Sequence, residues 1–152
     1  MKSLYLDLCA LKRPFDAIVN DRVQLEALAV ASLLGSFQRG EIRIVSSTAL
    51  ELENSRNPDV ARRDAVAEIL SQLEFKMPTQ ARLAEEAQRV AGLGMHALDA
   101  LHVASAIQAQ CQIFVTCDDG ILRLTRHLPR EAIGIVVVAP LEAVKALQEE
   151  GL

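Results

Sequence analysis

Short β-prone runs alternate with longer helix-patterned segments along the whole of this 152-residue chain. Strands that are separated by helices predict a parallel sheet, because parallel strands need crossover connections that lie on its faces. The alternation therefore predicts an α/β fold, a three-layer α/β/α sandwich with a central parallel sheet. The runs rich in β-branched and aromatic residues, which predict the strands, are residues 3–6, 41–45, 112–116 and 133–138.

Apolar residues at spacings of three and four predict the helices between these strands. The expected helices are residues 22–39, 48–55, 62–73, 80–91, 97–110 and 121–127, with a final amphipathic helix that begins at Pro140. Residues 9–16 are expected to form a loop, because Pro14 is unfavourable inside a regular helix. Residues 75–78 are expected to form a brief extended link.

Length and composition predict one soluble domain over residues 1–152, with a formal net charge of −4 and no basic tail. The three cysteines form no C-x-x-C pair, so a reducing compartment is favoured over a disulfide framework or a thiolate zinc site. No apolar run approaches the roughly 20 residues of a membrane span. We therefore expect a cytoplasmic protein without a membrane segment.

Acidic side chains follow the first strand and the strand of residues 112–116. Asp7 ends the first of these runs, and Asp118 and Asp119 follow the second. Asp99 lies in the first turn of a helix that is otherwise mostly apolar. Right-handed crossovers place the carboxyl ends of parallel strands on one edge of the sheet, where ligands bind in α/β folds. The sequence predicts that these carboxylates gather there.

The helix after residue 45 adds an acid to the same edge. Glu53 lies three and four residues after Leu50 and Ala49 and so shares their apolar face, whereas Glu51 follows a polar pair. Glu53 is the expected inward residue, and Glu51 remains the alternative. Four carboxylates without a matching cation repel one another, and their oxygens suit Mg²⁺ or Mn²⁺. This donor set is typical of metal-assisted phosphodiester cleavage, and the sequence contains no serine or cysteine nucleophile constellation.

Motifs spread over nearly the whole chain resemble those of the PIN domain family. They are Tyr5-Leu-Asp7, Cys9 with Arg13-Pro-Phe-Asp16, Ser47 with Glu53 and Asn57-Pro58, Leu98-Asp99-Ala-Leu-His102-Val-Ala104, and Val115-Thr-Cys-Asp118-Asp119. The resemblance implies a metal-dependent ribonuclease, often the toxin of a toxin–antitoxin pair. It assigns the four acids to Asp7, Glu53, Asp99 and Asp118, with Asp119 as an assisting metal ligand.

The resemblance also implies the partners of such a nuclease. RNA is the expected substrate, and an antitoxin protein and a second copy of the chain are candidate partners. Arg13 in the first loop and Arg123 after the last acid are the candidate contacts to an RNA backbone. Two positions depart from the family pattern, because Leu8 and Cys9 replace the small polar residues that usually follow the first aspartate.

Each of these residues also has a purely structural interpretation. An aspartate such as Asp99 in a first helical turn complements the helix dipole, and Asp118 is a suitable N-cap. Thr116 is either a strand residue or a hydroxyl donor to a carboxylate, and His102 is expected to be a hydrogen-bonded structural histidine. At the level of the whole protein, the alternatives are a non-catalytic interaction module that keeps the fold and a metal-dependent phosphohydrolase.

Overall fold

The computed structural model describes residues 1–76 and 79–149, and it contains the predicted alternation of strands and helices. Met77 and Pro78, in the expected extended link, lie outside the described residues. Within them, no helix is both long enough and apolar enough to cross a membrane. The strands are β1 Lys2–Leu6, β2 Ile42–Ser46, β3 Glu74–Phe75, β4 Ile113–Val115 and β5 Val136–Val138. The helices are α1 Leu8–Lys12, α2 Asp21–Gln38, α3 Thr48–Ser55, α4 Val60–Gln72, α5 Gln80–Ala91, α6 Ala97–Gln108, α7 Asp119–Arg126, α8 Arg130–Ile133 and α9 Pro140–Glu149.

The strands form one parallel sheet in the order β3-β2-β1-β4-β5. The chain builds outward from β1 through β2 to β3, then returns to place β4 on the other side of β1. The strand order therefore reverses between β1 and β4, where Leu4 is in register with Ile113 and Leu6 with Val115. Ligands of open α/β sheets bind at this kind of switch point, outside the carboxyl ends of the strands.

The central strand is buried on both faces, which confirms the three-layer arrangement. Leu4, Tyr5 and Leu6 are all inaccessible to solvent, although successive side chains of a strand point to opposite faces. The ring of Tyr5 stacks on Phe114 of β4 at a centroid distance of 5.4 Å, and its hydroxyl contacts His102 of α6. Helix α6 therefore covers the Tyr5 face of the sheet, while Leu4 and Leu6 point to the other layer.

The segment after β1 is helical, so the predicted loop over residues 9–16 is wrong. Helix α1 begins at Leu8, whose amide donates to the Asp7 side chain, and a 3₁₀ turn follows over Arg13–Phe15. Pro14 does not prevent this, because it lies at the start of the 3₁₀ turn, where a backbone N–H has no partner within the turn. Capping by Asp7 thus draws the chain into a helix directly at the end of the strand.

The last strand is shorter and less buried than the sequence predicts. Ile133 ends α8 rather than beginning a strand, and β5 starts at Val136. Gly134 ends the helix in a left-handed conformation with φ of 91°, which a residue without a Cβ adopts at little cost. The apolar run of residues 133–138 is therefore divided between a helix end and an edge strand, whose valines are half-buried.

Candidate active site

Asp7 lies directly after β1, at the edge of the sheet where the strand order reverses. Only 6% of its surface is exposed, and its amide continues the strand pairing by donating to the carbonyl of Val115 at 2.9 Å. Its Oδ1 accepts from the amide of Leu8 at 2.9 Å, which places the carboxylate at the start of α1. The backbone of two adjacent elements thus fixes the position of this acid.

Thr116 connects Asp7 with the segment that follows β4. Its buried hydroxyl donates to Asp7 Oδ2 at 2.9 Å and accepts from the amide of Asp118 at 3.1 Å. Cys9 lies beside both side chains, with its Sγ 3.5 Å from Asp7 Oδ2 and 3.4 Å from Thr116 Oγ1. Of the two interpretations of Thr116, the structure selects the hydroxyl donor to a neighbouring carboxylate.

Asp99 and Asp118 line one cleft of about 210 Å³, together with His96. Asp99 lies in the first turn of α6, whereas Asp118 caps α7 by accepting from the amide of Ile121 at 3.0 Å. Burial, followed by the negative charges of Asp7 and Asp118, raises the pKa of Asp99, and His102 and His96 only partly offset this. The structure thus brings Asp7, Asp99 and Asp118 into one electrostatic cluster.

Glu53 reaches the same region through a histidine. Its Oε2 lies 3.0 Å from His102 Nε2, and His102 is one turn beyond Asp99 on α6. The Glu53 side chain is 28% exposed, so it is held at the edge of the interior. Glu51 is exposed and lines a different cleft, with Asn54 and Ser55. Glu53 therefore has the inward direction that its apolar neighbours predict.

Asp119 is turned away from the cluster. Both of its carboxylate oxygens accept from Arg22 of α2, at 2.9 and 2.8 Å, and Arg22 also donates to the carbonyl of Cys117. The hydrogen bond and charge of Arg22 lower the pKa of Asp119, with smaller contributions from Arg123 and Arg126. The structure thus assigns Asp119 a bond between α2 and α7, and its role as an assisting metal ligand stays a prediction.

The two candidate RNA contacts differ in their surroundings. Arg13 is partly buried and forms ion pairs with Asp16 at 2.9 Å and Glu26 at 3.1 Å, so its charge is already compensated. Arg123 is exposed on α7, and it makes no ion pair within 4.0 Å among the described residues. Of the two, Arg123 has the surroundings that leave a cation available to a phosphate.

The acids of this region have the ligand chemistry of a site for a hard divalent cation, but they are not arranged as one. Among the described residues, no group of three or more His, Cys, Asp or Glu side chains is placed to hold a metal ion. Carboxylate oxygens are nevertheless the ligands that Mg²⁺ and Mn²⁺ prefer. Burial and, after it, the negative charges of Asp7 and Asp118 raise the pKa of Asp99, and a cation would neutralise part of that charge. The donor set therefore fits such an ion in type and charge.

Tyr5 and Ser47 belong to the site, although the sequence assigned them no functional role. Tyr5 is the only tyrosine of the chain and lies in a strand of buried apolar residues. A buried tyrosine hydroxyl usually has a hydrogen-bond partner, so a tyrosine at this position indicates a polar side chain in the interior beside it. Its partners are Ser47 Oγ at 2.6 Å and His102 Nδ1 at 2.8 Å. Ser47 is the N-cap of α3 and His102 lies on α6, and the pattern of residues in β1 does not predict contacts to either helix.

Comparison with protein families identifies the chain. The family model of the PIN domain matches residues 5–127, which contain all four acids, Asp7, Glu53, Asp99 and Asp118. The chain belongs to the PIN domain family. The match begins inside β1 and ends just after α7, so this PIN domain carries its acid cluster within the region that defines the family. Comparison with curated proteins gave no match.

Three solved structures share the fold of this chain. FitAcB from Neisseria gonorrhoeae is 19% identical with a TM-score of 0.51, and the alignment covers 91% of this chain and 98% of that chain. FitAB bound to an IR36 DNA fragment is 18% identical with a TM-score of 0.52, covering 90% and 94%. VapBC2 from Rickettsia felis, bound to a DNA fragment from its promoter, is 14% identical with a TM-score of 0.56, covering 90% and 98%. At these identities the likeness shows that this PIN domain shares their fold.

Proposed function

We propose that this PIN domain is an Mg²⁺- or Mn²⁺-dependent endoribonuclease that hydrolyses phosphodiester bonds of RNA. The observation that carries the proposal is the cluster of Asp7, Asp99 and Asp118 at the switch point of the sheet, where burial and the charges of the other two carboxylates raise the pKa of Asp99. Neighbouring carboxylates repel one another when all are ionised, and a bound positive ion removes this repulsion. Membership of a family of nucleases supports the same chemistry.

The roles follow from where each acid lies. Asp7, Glu53, Asp99 and Asp118 are assigned to hold the cation, and when bound the cation supplies a Lewis acid and an activated water for the attack on phosphorus. Thr116 keeps one oxygen of Asp7 in a hydrogen bond, which fixes the direction in which the carboxylate points. Asp119 joins this set only if it leaves Arg22.

Recognition of RNA is assigned to cations beside the cleft. Arg123 is exposed on α7, the helix whose N-cap is Asp118, and we assign its guanidinium to an RNA phosphate that approaches this end of the cleft. Arg13 serves the same purpose only where an RNA phosphate displaces its partners Asp16 and Glu26. Contacts of this kind position the backbone and carry no base preference.

The test is cleavage of a panel of single-stranded and hairpin RNAs by the purified protein in Mg²⁺, in Mn²⁺ and with a chelator. We expect cleavage only with a divalent ion and its loss in Asp99→Asn. Cleavage in the presence of a chelator, or equal cleavage by Asp99→Asn, would refute the assignment. A protein that binds neither metal nor RNA would instead support the alternative of a non-catalytic interaction module, and activity on small phosphate esters alone would support a phosphohydrolase.

We also propose that the protein is the toxin of a toxin–antitoxin pair, which acts in the cytoplasm and is bound by an antitoxin protein. Two apolar residues precede α2 and two lie on it, all four exposed: Ile18 and Val19 at 67% and 75%, and Leu25 and Leu28 at 52% and 61%. A helix with exposed leucines one turn apart is suited to pack against a partner.

The location and the oligomeric state of the protein belong to the same proposal. The three free cysteines of the chain suit a reducing compartment such as the cytoplasm. Light scattering of the purified protein distinguishes a homodimer from a monomer that awaits its antitoxin.

A further inference from the structure

A chain of hydrogen bonds links the interior of the sheet to Glu53. Ser47 Oγ lies 2.6 Å from the Tyr5 hydroxyl, and that hydroxyl lies 2.8 Å from His102 Nδ1. His102 Nε2 continues the chain to Glu53 Oε2 at 3.0 Å. The four side chains come from β1, α3 with its N-cap, and α6, so the chain joins three elements at the acid edge of the sheet.

The first three members are held rigidly. Tyr5 is 0% exposed, His102 is 1% exposed and Ser47 is 5% exposed, so none of them has a solvent-facing alternative. A polar group that is buried without a partner costs free energy, and each of these groups has one at both ends. Glu53 differs, because its longer side chain is partly exposed and His102 is its only hydrogen-bond partner among the described residues. The orientation of Glu53 therefore depends on His102.

The directions of the hydrogen bonds are determined by the two ends of the chain. An ionised Glu53 only accepts, so His102 Nε2 carries a hydrogen and donates to it. In a neutral imidazole Nδ1 then accepts from the Tyr5 hydroxyl, which lies 2.8 Å away. Ser47 in turn donates to Tyr5 while its oxygen accepts from the amide of Leu50 at 3.1 Å. Every hydrogen has one acceptor, which fixes the tautomer of His102.

We propose that His102, held in one ring orientation and tautomer by Tyr5, is a positioning residue that aims Glu53 at the acid cluster. The inference rests on the proposed function, because it assigns Glu53 to the cation that Asp7, Asp99 and Asp118 also hold. His102 and Asp99 are three residues apart on α6. The helix therefore places Asp99 and the histidine that holds Glu53 at the same edge of the sheet. Partners of this kind change metal affinity about tenfold to a hundredfold when they are lost.

A purely structural role predicts a different outcome. If His102 served only to satisfy the buried hydroxyl of Tyr5, its Nδ1 would matter and its Nε2 would not. Asparagine and glutamine separate the two atoms, because His102→Asn keeps a polar atom at the position of Nδ1 and His102→Gln carries its amide to the position of Nε2. The matched pair therefore compares the contact to Tyr5 with the contact to Glu53.

The experiment is calorimetric titration of Mn²⁺ into the wild-type protein and into Glu53→Gln, His102→Asn, His102→Gln and the double variant His102→Asn with Glu53→Gln. We expect His102→Asn to weaken binding at least about tenfold and His102→Gln to weaken it much less. The double variant should bind no more weakly than Glu53→Gln alone, because His102 acts through Glu53. Glu51→Gln is the control for a glutamate of the same helix.

The outcomes distinguish this inference from the function on which it rests. If Glu53→Gln loses affinity while both His102 variants bind as the wild type does, or if His102→Gln is the weaker of the two, the positioning role is wrong and the proposed site stands. If the wild type binds no Mn²⁺, or if Glu53→Gln binds it equally, the proposed site is wrong and the inference falls with it. Nitrogen-15 spectra of the histidines check the contact without mutating His102, because the His102 Nε2 signal should shift in Glu53→Gln. An unchanged signal overturns the inference.

Discussion

The hydroxyl of Thr116 donates to Asp7 Oδ2 at 2.9 Å across the strands where the order of the sheet reverses. The same hydroxyl accepts from the amide of Asp118 at 3.1 Å. One buried side chain thus connects the first and the last acid of the cluster, and it uses its donor and its acceptor in different directions. The hydroxyl therefore helps to set the distance between the Asp7 carboxylate and the backbone of Asp118.

Replacing that hydroxyl should damage both stability and metal binding. Thr116→Val keeps the shape but removes the hydroxyl that donates to Asp7 Oδ2 and accepts from the Asp118 amide, so unfolding in urea should become easier by about 1–3 kcal/mol. Titration with Mn²⁺ should show weaker binding, because the Asp7 carboxylate loses one of the two short hydrogen bonds that orient it. Thr116→Ser keeps the hydroxyl and is the control. Equal metal affinity of the valine and serine variants would contradict this account.

Divalent ions should raise the melting temperature at neutral pH. Any ligand that binds only the folded state stabilises it, by about 2.7 kcal/mol at a hundredfold excess over the dissociation constant. Differential scanning fluorimetry in Mg²⁺ and in Mn²⁺ measures the shift. Asp118→Asn should reduce it, since one ligand of the cluster is lost. A melting temperature that does not change with metal would argue against the acid cluster as a cation site.

Two aspartates should contribute to stability with opposite dependence on pH. The pKa of Asp99 is raised by burial and by Asp7 and Asp118, so between the unfolded value of about 3.9 and its higher folded value the folded protein holds the extra proton. Its contribution to stability therefore falls as pH rises through that range. The pKa of Asp119 is lowered by Arg22, so its stabilising contribution is present above about pH 3.9 and is lost as pH falls.

Metal-free melting of Asp99→Asn and Asp119→Asn, followed from about pH 3 to about pH 7, measures these contributions. At neutral pH Asp99→Asn should melt at the same temperature as the wild type or higher, whereas Asp119→Asn should melt lower. Cleavage of RNA should be lost in Asp99→Asn. A variant Asp99→Asn that melts far below the wild type would identify Asp99 as a structural residue of the α6 N-terminus.

The two glutamates of α3 provide a further comparison. Glu53 contacts His102, whereas Glu51 is exposed beside Asn54 and Ser55. Glu53→Gln should therefore abolish most metal-dependent cleavage, and Glu51→Gln should leave it unchanged. The measurement is the initial rate of RNA cleavage in Mn²⁺ with both variants at the same concentration. Equal losses would require an RNA or metal contact at Glu51 that its position does not suggest.

Substitution of Arg123 should weaken RNA binding without altering metal binding. Arg123→Ala removes an exposed cation of α7, the helix that Asp118 caps, so KM should rise and the slope of log affinity against log salt should fall by about one. Arg39→Ala is the matched control, because Arg39 is also exposed but pairs with Glu41 just before β2, at the opposite edge of the sheet. If both variants lower RNA affinity equally, the effect reflects net charge and not a contact at the cleft.

The sequence alone determined the layered architecture and the edge at which the acids lie. Helix α5 begins and ends where the sequence predicts, and Thr79 caps it through a hydrogen bond from the amide of Arg82 that spans only three residues. Asp7 follows β1 and Asp118 follows β4, and parallel strands bring their carboxyl ends to the same edge. Interactions within a few residues and the connection rules of parallel sheets are sufficient for these predictions.

Only the tertiary structure decided which partners the side chains have. Asp119 binds Arg22 and Tyr5 binds His102, and each pair is 97 residues apart in the chain. Local patterning could not predict the different partners of Asp118 and Asp119, because the two are the same residue type and adjacent in the sequence. Their different partners depend on where α2 begins relative to the end of β4. That relation is set by packing of the whole sheet, which also places His102 between Tyr5 and Glu53.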